Sequence, residues 1–312
     1  MALKAVAPEV IAEGKPKFMI SGRSGAGKTL FALQFPTPYY VDTEGGAVRK
    51  QYREALSASG GVYFGKEQGS QDFKTVIDEI KALATTQHNY KTFVLDSFSH
   101  IYNTAAAMAE ERIGNEFGRD KKEANRPTRQ LMRWLENLDM TVILICHHRE
   151  KWERKGRDMI NAGTTFDGFD KLEYILDLWI EAQKLGDDRT FTIRKSRIST
   201  FLDGKEFPLN YKVFADLYGR DTIEKPPIPA VMATPGEVAE LQSLLDVVRV
   251  DQETVDKWLE KANADDWAEL NHTQIQKCID YIKKKLPQPP PPAPVAASER
   301  PANGRAEKAK VK

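Results

Sequence analysis

The segment Gly22-Arg23-Ser24-Gly25-Ala26-Gly27-Lys28-Thr29 fits the pattern G-x-x-x-x-G-K-[ST] of a phosphate-binding loop. Its glycines allow a tight turn in which successive backbone N–H groups point inward at phosphate oxygens. Lys28 can reach the β- and γ-phosphates of ATP, and the Thr29 hydroxyl can bind Mg²⁺. We therefore predict that all eight residues bind ATP. A flexible glycine turn at the surface is the alternative.

The residues on both sides of the loop supply the context that this pattern requires. Residues 17–21 (KFMIS) are apolar enough for a buried strand, and KTLFALQF after the glycines predicts a helix. Further strands are predicted at 39–42, 62–64, 92–96 and 140–146, and helices at 72–84 and 129–138. Apolar strands that alternate with helices are typical of a parallel sheet covered on both faces. We predict an α/β fold with a mostly parallel sheet.

The pattern changes after residue 170. Residues 176–184 and 189–197 flank Gly186-Asp187-Asp188 and predict a β-hairpin. The capping box Thr234-Pro235-Gly236-Glu237 opens a segment with three apolar stripes, which indicates three helices. The final residues are rich in proline and have almost nothing to bury, which indicates disorder. We predict an ATPase core over 1–220, a linker over 221–233, a helical module over 234–286 and a disordered basic tail over 287–312.

Overall composition excludes several classes of protein. The 46 basic residues are balanced by 45 acidic residues, so any nucleic-acid site must be a local patch. The two cysteines, Cys146 and Cys278, suggest no disulfide framework, which is typical of the cytoplasm. No apolar run is long enough to span a bilayer or to resemble a signal peptide. We expect a cytoplasmic protein without a membrane partner.

Asp96 is the candidate metal ligand in addition to Thr29. It ends the apolar run 92–95, at the end of a predicted buried strand. A carboxylate in that position beside a phosphate-binding loop can hold Mg²⁺ through water. An ordinary helix-capping or surface aspartate is the alternative.

The motifs GRSGAGKT, DTE, TFVLDS, ILICHH and RKSR occur in this order over residues 15–215. In this arrangement the chain resembles the phage-encoded RecA-like P-loop ATPases of single-strand annealing and recombination, which share a RecA/RadA-type core. The resemblance implies ATP and Mg²⁺ as cofactors and hydrolysis of ATP that DNA stimulates. It also implies a homo-oligomer with active sites between subunits, in the cytoplasm of the phage host.

The same resemblance assigns roles to Glu44 and His147. AAA+ ATPases place a catalytic glutamate directly after the strand-end aspartate, but Ser97 occupies that position here. The RecA class takes its glutamate from the strand after the loop helix, so Glu44 in Asp42-Thr43-Glu44 becomes the candidate base that polarises water. His147 resembles the residue that senses the γ-phosphate. A surface turn residue and an ordinary polar histidine are the alternatives.

The segment 148–169 is the candidate site for single-stranded DNA. We predict a mobile loop that contacts phosphates and stacks on bases through Arg149, Lys151, Trp152, Arg154, Lys155 and Arg157. Acidic residues within the segment reduce its net charge, so a solvated loop is the alternative. Residues 114–126 are a weaker candidate because they also mix charges with one aromatic residue.

The motif RKSR ends the second strand of the predicted hairpin. RecA-like filaments present basic residues from this region to the ATP of the neighbouring subunit, and a cation supplied in this way stabilises the transition state. Strand alternation puts Lys195 and Arg197 on one face, so we predict these two as catalytic residues acting in trans. A solvated edge strand is the alternative.

Three functions fit these patterns. The first is an ATP-dependent recombination protein that binds single-stranded DNA. The second is a nucleotide-dependent loader or regulator of a replication protein such as a helicase, with a single-strand binding protein as another candidate partner. The third is a small-molecule kinase, for which the sequence contains no acceptor-binding signature.

Overall fold

The apolar segments of the sequence form the strands of one large sheet and one small sheet. The computed structural model describes residues 5, 13–114, 119–156, 158–262 and 264–286, with only the backbone for 119–124. Its strands are β1 (Lys17–Gly22), β2 (Pro38–Asp42), β3 (Val62–Phe64), β4 (Thr92–Asp96), β5 (Thr141–Ile145), β6 (His148–Lys155), β7 (Asp158–Phe166), β8 (Leu178–Leu185), β9 (Asp188–Ser196) and β10 (Glu206–Pro208).

The large sheet has eight strands in the order β10-β9-β8-β1-β5-β4-β2-β3. The six strands from β8 to β3 run parallel, whereas β9 and β10 are added in antiparallel fashion. The strands β6 and β7 form the separate two-stranded sheet. The predicted α/β fold with a mostly parallel sheet is therefore confirmed, and so is the predicted hairpin, formed by β8 and β9.

Helices connect the strands and cover the sheet. They are α1 (Lys28–Ala32), α2 (Lys50–Ala58), α3 (Phe73–Thr85), α4 (Phe98–Ile113), α5 (Arg119–Asn137), α6 (Leu172–Ile175), α7 (Tyr211–Tyr218), α8 (Arg220–Ile223), α9 (Pro235–Val248), α10 (Gln252–Ala262) and α11 (His272–Lys283). The sequence analysis did not predict α2, α4, α6, α7, α8 or the first half of α5. The first half of α5 has no apolar stripe and includes Pro127, a residue that usually ends a helix.

Two apolar layers enclose the sheet. Along β1, Phe18 and Ile20 enter one layer while Met19 enters the other, and none of the three is exposed. The first layer contains residues of α1, α2 and α7, and the second contains residues of α3, α4 and α5. Because both faces are buried, the strands are continuously apolar rather than alternating.

The three predicted C-terminal helices are α9, α10 and α11, and they enclose a small core of their own. Thr234 and Glu237 form the predicted capping box at the start of α9. Glu269, before α11, joins this module to helices α3 and α5 through ion pairs with Lys81 and Arg133. The domain divisions stay a prediction, and the tail over 287–312 lies outside the described residues. No described helix is both long and apolar enough to cross a membrane.

Candidate nucleotide site and adjoining hairpin

The carboxyl ends of β1, β2, β4 and β5 meet at one edge of the sheet. Ligands of open parallel sheets bind at this edge. A cavity of about 900 Å³ lies there, lined by the phosphate-binding loop together with Glu44, Asp96 and His147. The structure therefore brings together candidates that lie up to 125 residues apart in the sequence, from Gly22 to His147.

The loop has the backbone that its glycines predict. Gly25 and Gly27 have φ angles of 77° and 94°, in a region that other residues rarely adopt. The Lys28 ammonium donates hydrogen bonds to the carbonyl oxygens of Gly22 (2.8 Å) and Arg23 (3.0 Å). Burial lowers the pKa of Lys28. A bound phosphate would offer this ammonium acceptors that carry a full charge, which make stronger hydrogen bonds than carbonyls do.

Asp96 and Thr29, the candidate metal ligands, are in direct contact. The Thr29 hydroxyl donates a hydrogen bond of 2.6 Å to Asp96 Oδ2, and the Tyr40 hydroxyl donates one of 3.1 Å to the same oxygen. Burial raises the pKa of Asp96 to about 6, so a nearby cation would favour its ionised form. A hydroxyl and a carboxylate are hard oxygen donors, and they fit the requirements of Mg²⁺.

Glu44 is held at the end of β2 by two partners. The Ser97 hydroxyl donates a hydrogen bond to Glu44 Oε1, and His147 Nε2 lies 2.8 Å from the same oxygen. The hydrogen bond from His147 is the main reason why the pKa of Glu44 falls to about 2, and it raises the pKa of His147. Glu44 is therefore an ionised carboxylate at neutral pH, as a group that orients and polarises water must be.

Asp42 is a site residue that the sequence argument did not single out. Its carboxylate is 2% exposed and accepts hydrogen bonds from four successive backbone N–H groups. The donors are Glu44 (3.1 Å), Gly45 (2.8 Å), Gly46 (3.0 Å) and Ala47 (2.7 Å). Asp42 thus fixes the turn that carries Glu44. Its position in the motif DTE could have suggested this role.

The geometry of this edge agrees with the comparisons with known proteins. A family profile described as an AAA domain, AAA_24, matches residues 14–200, which is more than half of the chain. The chain belongs to this AAA-domain family. The family and the sheet together confirm the predicted P-loop ATPase core. In this AAA-domain protein Ser97 follows Asp96, and Glu44 is the glutamate from the end of β2 that lines the cavity.

A solved structure, the crystal structure of the RadB recombinase, is similar to this AAA-domain protein in fold. The two are 20% identical, and the match covers 62% of this chain and 86% of that chain with a TM-score of 0.40. None of the curated proteins matches the sequence.

The predicted mobile loop after β5 is instead a β-hairpin, so that prediction was wrong. The strands β6 and β7 pair in antiparallel register from His148↔Phe166 to Lys155↔Asp158, and Gly156 lies in the turn with a φ of 66°. Both strands are largely exposed, so no buried face gives the sequence the alternation that identifies a strand. Arg157 lies outside the described residues, as do residues 115–118 of the weaker candidate segment.

The remaining candidate DNA residues differ in their contacts. Arg149 is at the base of the hairpin, where it lines the nucleotide cavity and forms an ion pair of 2.7 Å with Asp170. Lys151 forms an ion pair of 2.7 Å with Glu153. Trp152 is 52% exposed. Arg154 and Lys155 are also exposed, in the outer half of the hairpin.

Lys195 lies at the end of β9, and Arg197 directly follows the strand. The Lys195 ammonium donates a hydrogen bond to the carbonyl oxygen of Leu176, and the Arg197 guanidinium donates one to that of Tyr174. Both cations therefore contact α6 and the residue after it, and neither lines the nucleotide cavity of its own subunit. Their action in trans stays a prediction.

Proposed function

We propose that this AAA-domain protein hydrolyses ATP and acts on single-stranded DNA as a phage recombination protein of the annealing or strand-exchange type. One observation carries the proposal. The hairpin begins at His148, directly after His147, and His147 contacts the carboxylate of Glu44 in the nucleotide cavity. The residues that follow β5 thus belong both to the ATPase site and to the surface proposed to bind DNA.

For ATP hydrolysis, each described residue has one role in the proposal. Lys28 and the loop N–H groups bind the phosphates, and Thr29 with Asp96 holds Mg²⁺. Bound Mg²⁺ would neutralise charge that develops on the phosphates. Glu44 orients the attacking water and accepts its proton, and Ser97 fixes the carboxylate in place. Lys195 and Arg197 act at the site of a neighbouring copy in a homo-oligomer.

A chain of hydrogen bonds connects the two sites. The backbone N–H of His147 donates to the Ser99 hydroxyl (2.8 Å), and this hydroxyl contacts the carbonyl oxygen of Asp167. The backbone N–H of Asp167, directly after β7, donates to the carbonyl oxygen of His147 (2.8 Å). A shift of His147 towards a γ-phosphate would therefore move both ends of the hairpin. This connection supports ATP-dependent binding of DNA.

One face of the hairpin suits single-stranded DNA better than the other. The pairs Trp152↔Asn161 and Arg154↔Met159 place these four side chains on the same face, because opposed residues of an antiparallel pair share a face. This face offers an aromatic ring for stacking and a guanidinium for phosphate. On the other face Lys155 is opposite Asp158. We propose the face that carries Trp152 and Arg154, called the tryptophan face, as the DNA surface.

A second candidate function is the loading or regulation of a replication protein such as a helicase. The exposed apolar side chains Met159 (59%) and Ile160 (41%) at the tip of the hairpin favour it, since such residues often contact protein partners. The ion pairs of Arg149 and Lys151 also leave few cations free for DNA phosphates.

The two functions are separated by titrating the protein with a fluorescent single-stranded oligonucleotide, with and without ATP, at several salt concentrations. DNA binding predicts a higher affinity with ATP, a loss of affinity as salt rises, and a change in tryptophan fluorescence that is absent from Trp152→Ala. Trp152→Ala should weaken binding about 5- to 100-fold, because stacking contributes about 1–3 kcal/mol per base. Arg154→Ala should also reduce the slope of the salt dependence.

Lys151→Ala is the matched control, because it removes the same charge from the same hairpin but from an existing ion pair. It should change DNA affinity much less than Arg154→Ala does. Equal affinities of the parent protein, the Trp152 variant and the Arg154 variant would reject the tryptophan face. No binding by the parent with ATP at low salt would favour the loader function.

The ATPase role of Glu44 is tested separately. Glu44→Gln should still bind ATP but lose ATP turnover.

A further inference from the structure

Arg189, at the start of β9, is in contact with the phosphate-binding loop of its own subunit. A Cβ atom added to Gly27 would lie 2.8 Å from Arg189 Cδ and 3.1 Å from Arg189 Nε. The side chain therefore lies directly against Gly27, the residue before Lys28. It also lines the nucleotide cavity. No local motif marks Arg189, which is 162 residues away from Gly27 in the sequence.

The backbone that presents Arg189 is held on two sides. It pairs with Lys184 across the β8–β9 hairpin, and its carbonyl oxygen accepts a hydrogen bond of 2.9 Å from the N–H of Leu209. A Leu209 methyl group lies 3.5 Å from the same point above Gly27. Arg189 thus reaches the loop from regular structure rather than from a loose connection.

The guanidinium N–H groups of Arg189 are available to donate hydrogen bonds to a ligand. Among the described residues, none forms a hydrogen bond or an ion pair with its side chain. The other cation from outside the loop that lines the cavity, Arg149, is already paired with Asp170. A guanidinium with five N–H donors beside a loop that binds phosphate is suited to a phosphate group.

We propose that Arg189 is a phosphate-binding residue that acts in cis on the nucleotide held by Gly27 and Lys28. The proposal rests on the nucleotide site proposed above and adds a residue to it. Glu44 and His147 occupy the part of the cavity where the γ-phosphate is attacked. Arg189 contacts the loop itself, so it holds the phosphate chain both before and during the reaction. Such a contact changes nucleotide affinity more than turnover.

The test compares Arg189→Ala with Lys184→Ala in the full-length protein, using a fluorescent ADP and competition by ATP or inorganic tripolyphosphate. Lys184 is the residue opposite Arg189 on the same hairpin, is exposed, and does not line the cavity, so its variant removes the same charge. We expect Arg189→Ala to lower the affinity for fluorescent ADP, ATP and tripolyphosphate about 10- to 100-fold, which is the effect of losing one charged hydrogen bond. Lys184→Ala should change affinity less than about twofold, because Lys184 neither lines the cavity nor lies against Gly27.

Tripolyphosphate has no base, so a loss confined to ATP and ADP would overturn the phosphate contact. Arg189→Ala should raise the KM for ATP by a larger factor than it lowers kcat, and Arg189→Lys should restore part of the affinity. Unchanged affinity would overturn the proposal while leaving the nucleotide site intact. A parent protein that binds no nucleotide would reject the site itself.

Action in cis is tested by mixing Arg189→Ala with Lys28→Ala. If both residues act on the same subunit's nucleotide, every site in the mixture has one of the two defects. The mixture should then contain no sites with the affinity of the parent. Recovery of such sites would show that Arg189 acts on a neighbouring subunit, and would overturn the proposal.

Discussion

Replacing Asp42 by asparagine tests whether the turn that carries Glu44 must be held rigidly. In Asp42→Asn, the remaining oxygen can still accept the hydrogen bonds of Glu44, Gly45 and Gly46, which all reach Oδ1. The N–H of Ala47 donates to Oδ2 in the parent protein. In the variant this N–H faces the new amide group instead. Two donors then oppose each other at a site that is 2% exposed, and the remaining bonds lose their charge.

The expected loss follows from these contacts. A buried N–H without an acceptor costs about 1–3 kcal/mol, and bonds to a neutral acceptor are about 1 kcal/mol weaker than bonds to a charged one. With one N–H orphaned and three bonds weakened, we expect Asp42→Asn to lower the free energy of unfolding by about 4–6 kcal/mol. In a domain of this size that corresponds to a Tm about 8–24 °C lower. The turn is also expected to shift, and a misplacement of about 1 Å lowers turnover about 10²-fold.

The assay measures thermal unfolding and ATP turnover for Asp42→Asn and for the control Asp72→Asn. Asp72 also accepts a backbone hydrogen bond, from Thr75 (2.7 Å) at the start of α3, but it is exposed and does not line the cavity. Asparagine caps helices as well as aspartate does, so this control should match the parent protein. A folded Asp42→Asn variant with a lower Tm and normal turnover would refute the positioning of Glu44. An unchanged Tm would refute the energetic argument as well.

Three further predictions concern the same site. Lys28→Ala should lower turnover about 10²-fold or more in a folded protein, and near-normal hydrolysis would contradict the phosphate-loop assignment. Contact with Glu44 raises the pKa of His147 above its usual value of about 6.5. His147 is therefore protonated and paired with Glu44 below about pH 6.5, and this ion pair is lost as the pH rises through the raised pKa of His147. Turnover without DNA should therefore rise with pH across this range as Glu44 is released, and a His147→Gln variant should not show that rise. Mixing a Lys195→Ala/Arg197→Ala protein with Lys28→Ala should recover activity if the two cations act in trans, and no recovery despite co-assembly would argue against this.

Much of the nucleotide site could be predicted from the sequence because its parts are local. The glycine loop is contiguous, and Glu44 and Asp96 each follow a short apolar strand. The carboxyl ends of parallel strands meet at one edge of a sheet, so identifying the strands was enough to expect these side chains near the loop. The three C-terminal helices could also be predicted from the sequence, because a capping box and apolar stripes identify them locally.

The tertiary structure alone decided which distant groups touch. Nothing in the sequence pairs Ser97 with Glu44 or Arg189 with Gly27, because those contacts depend on strand order and on the side to which the β8–β9 hairpin turns. The exposed hairpin that begins at His148 could not be predicted from sequence patterns either. Periodicity reveals a strand only when one face is buried and must be apolar, and both strands of this hairpin lie largely in solvent, where polar and apolar residues are equally tolerated.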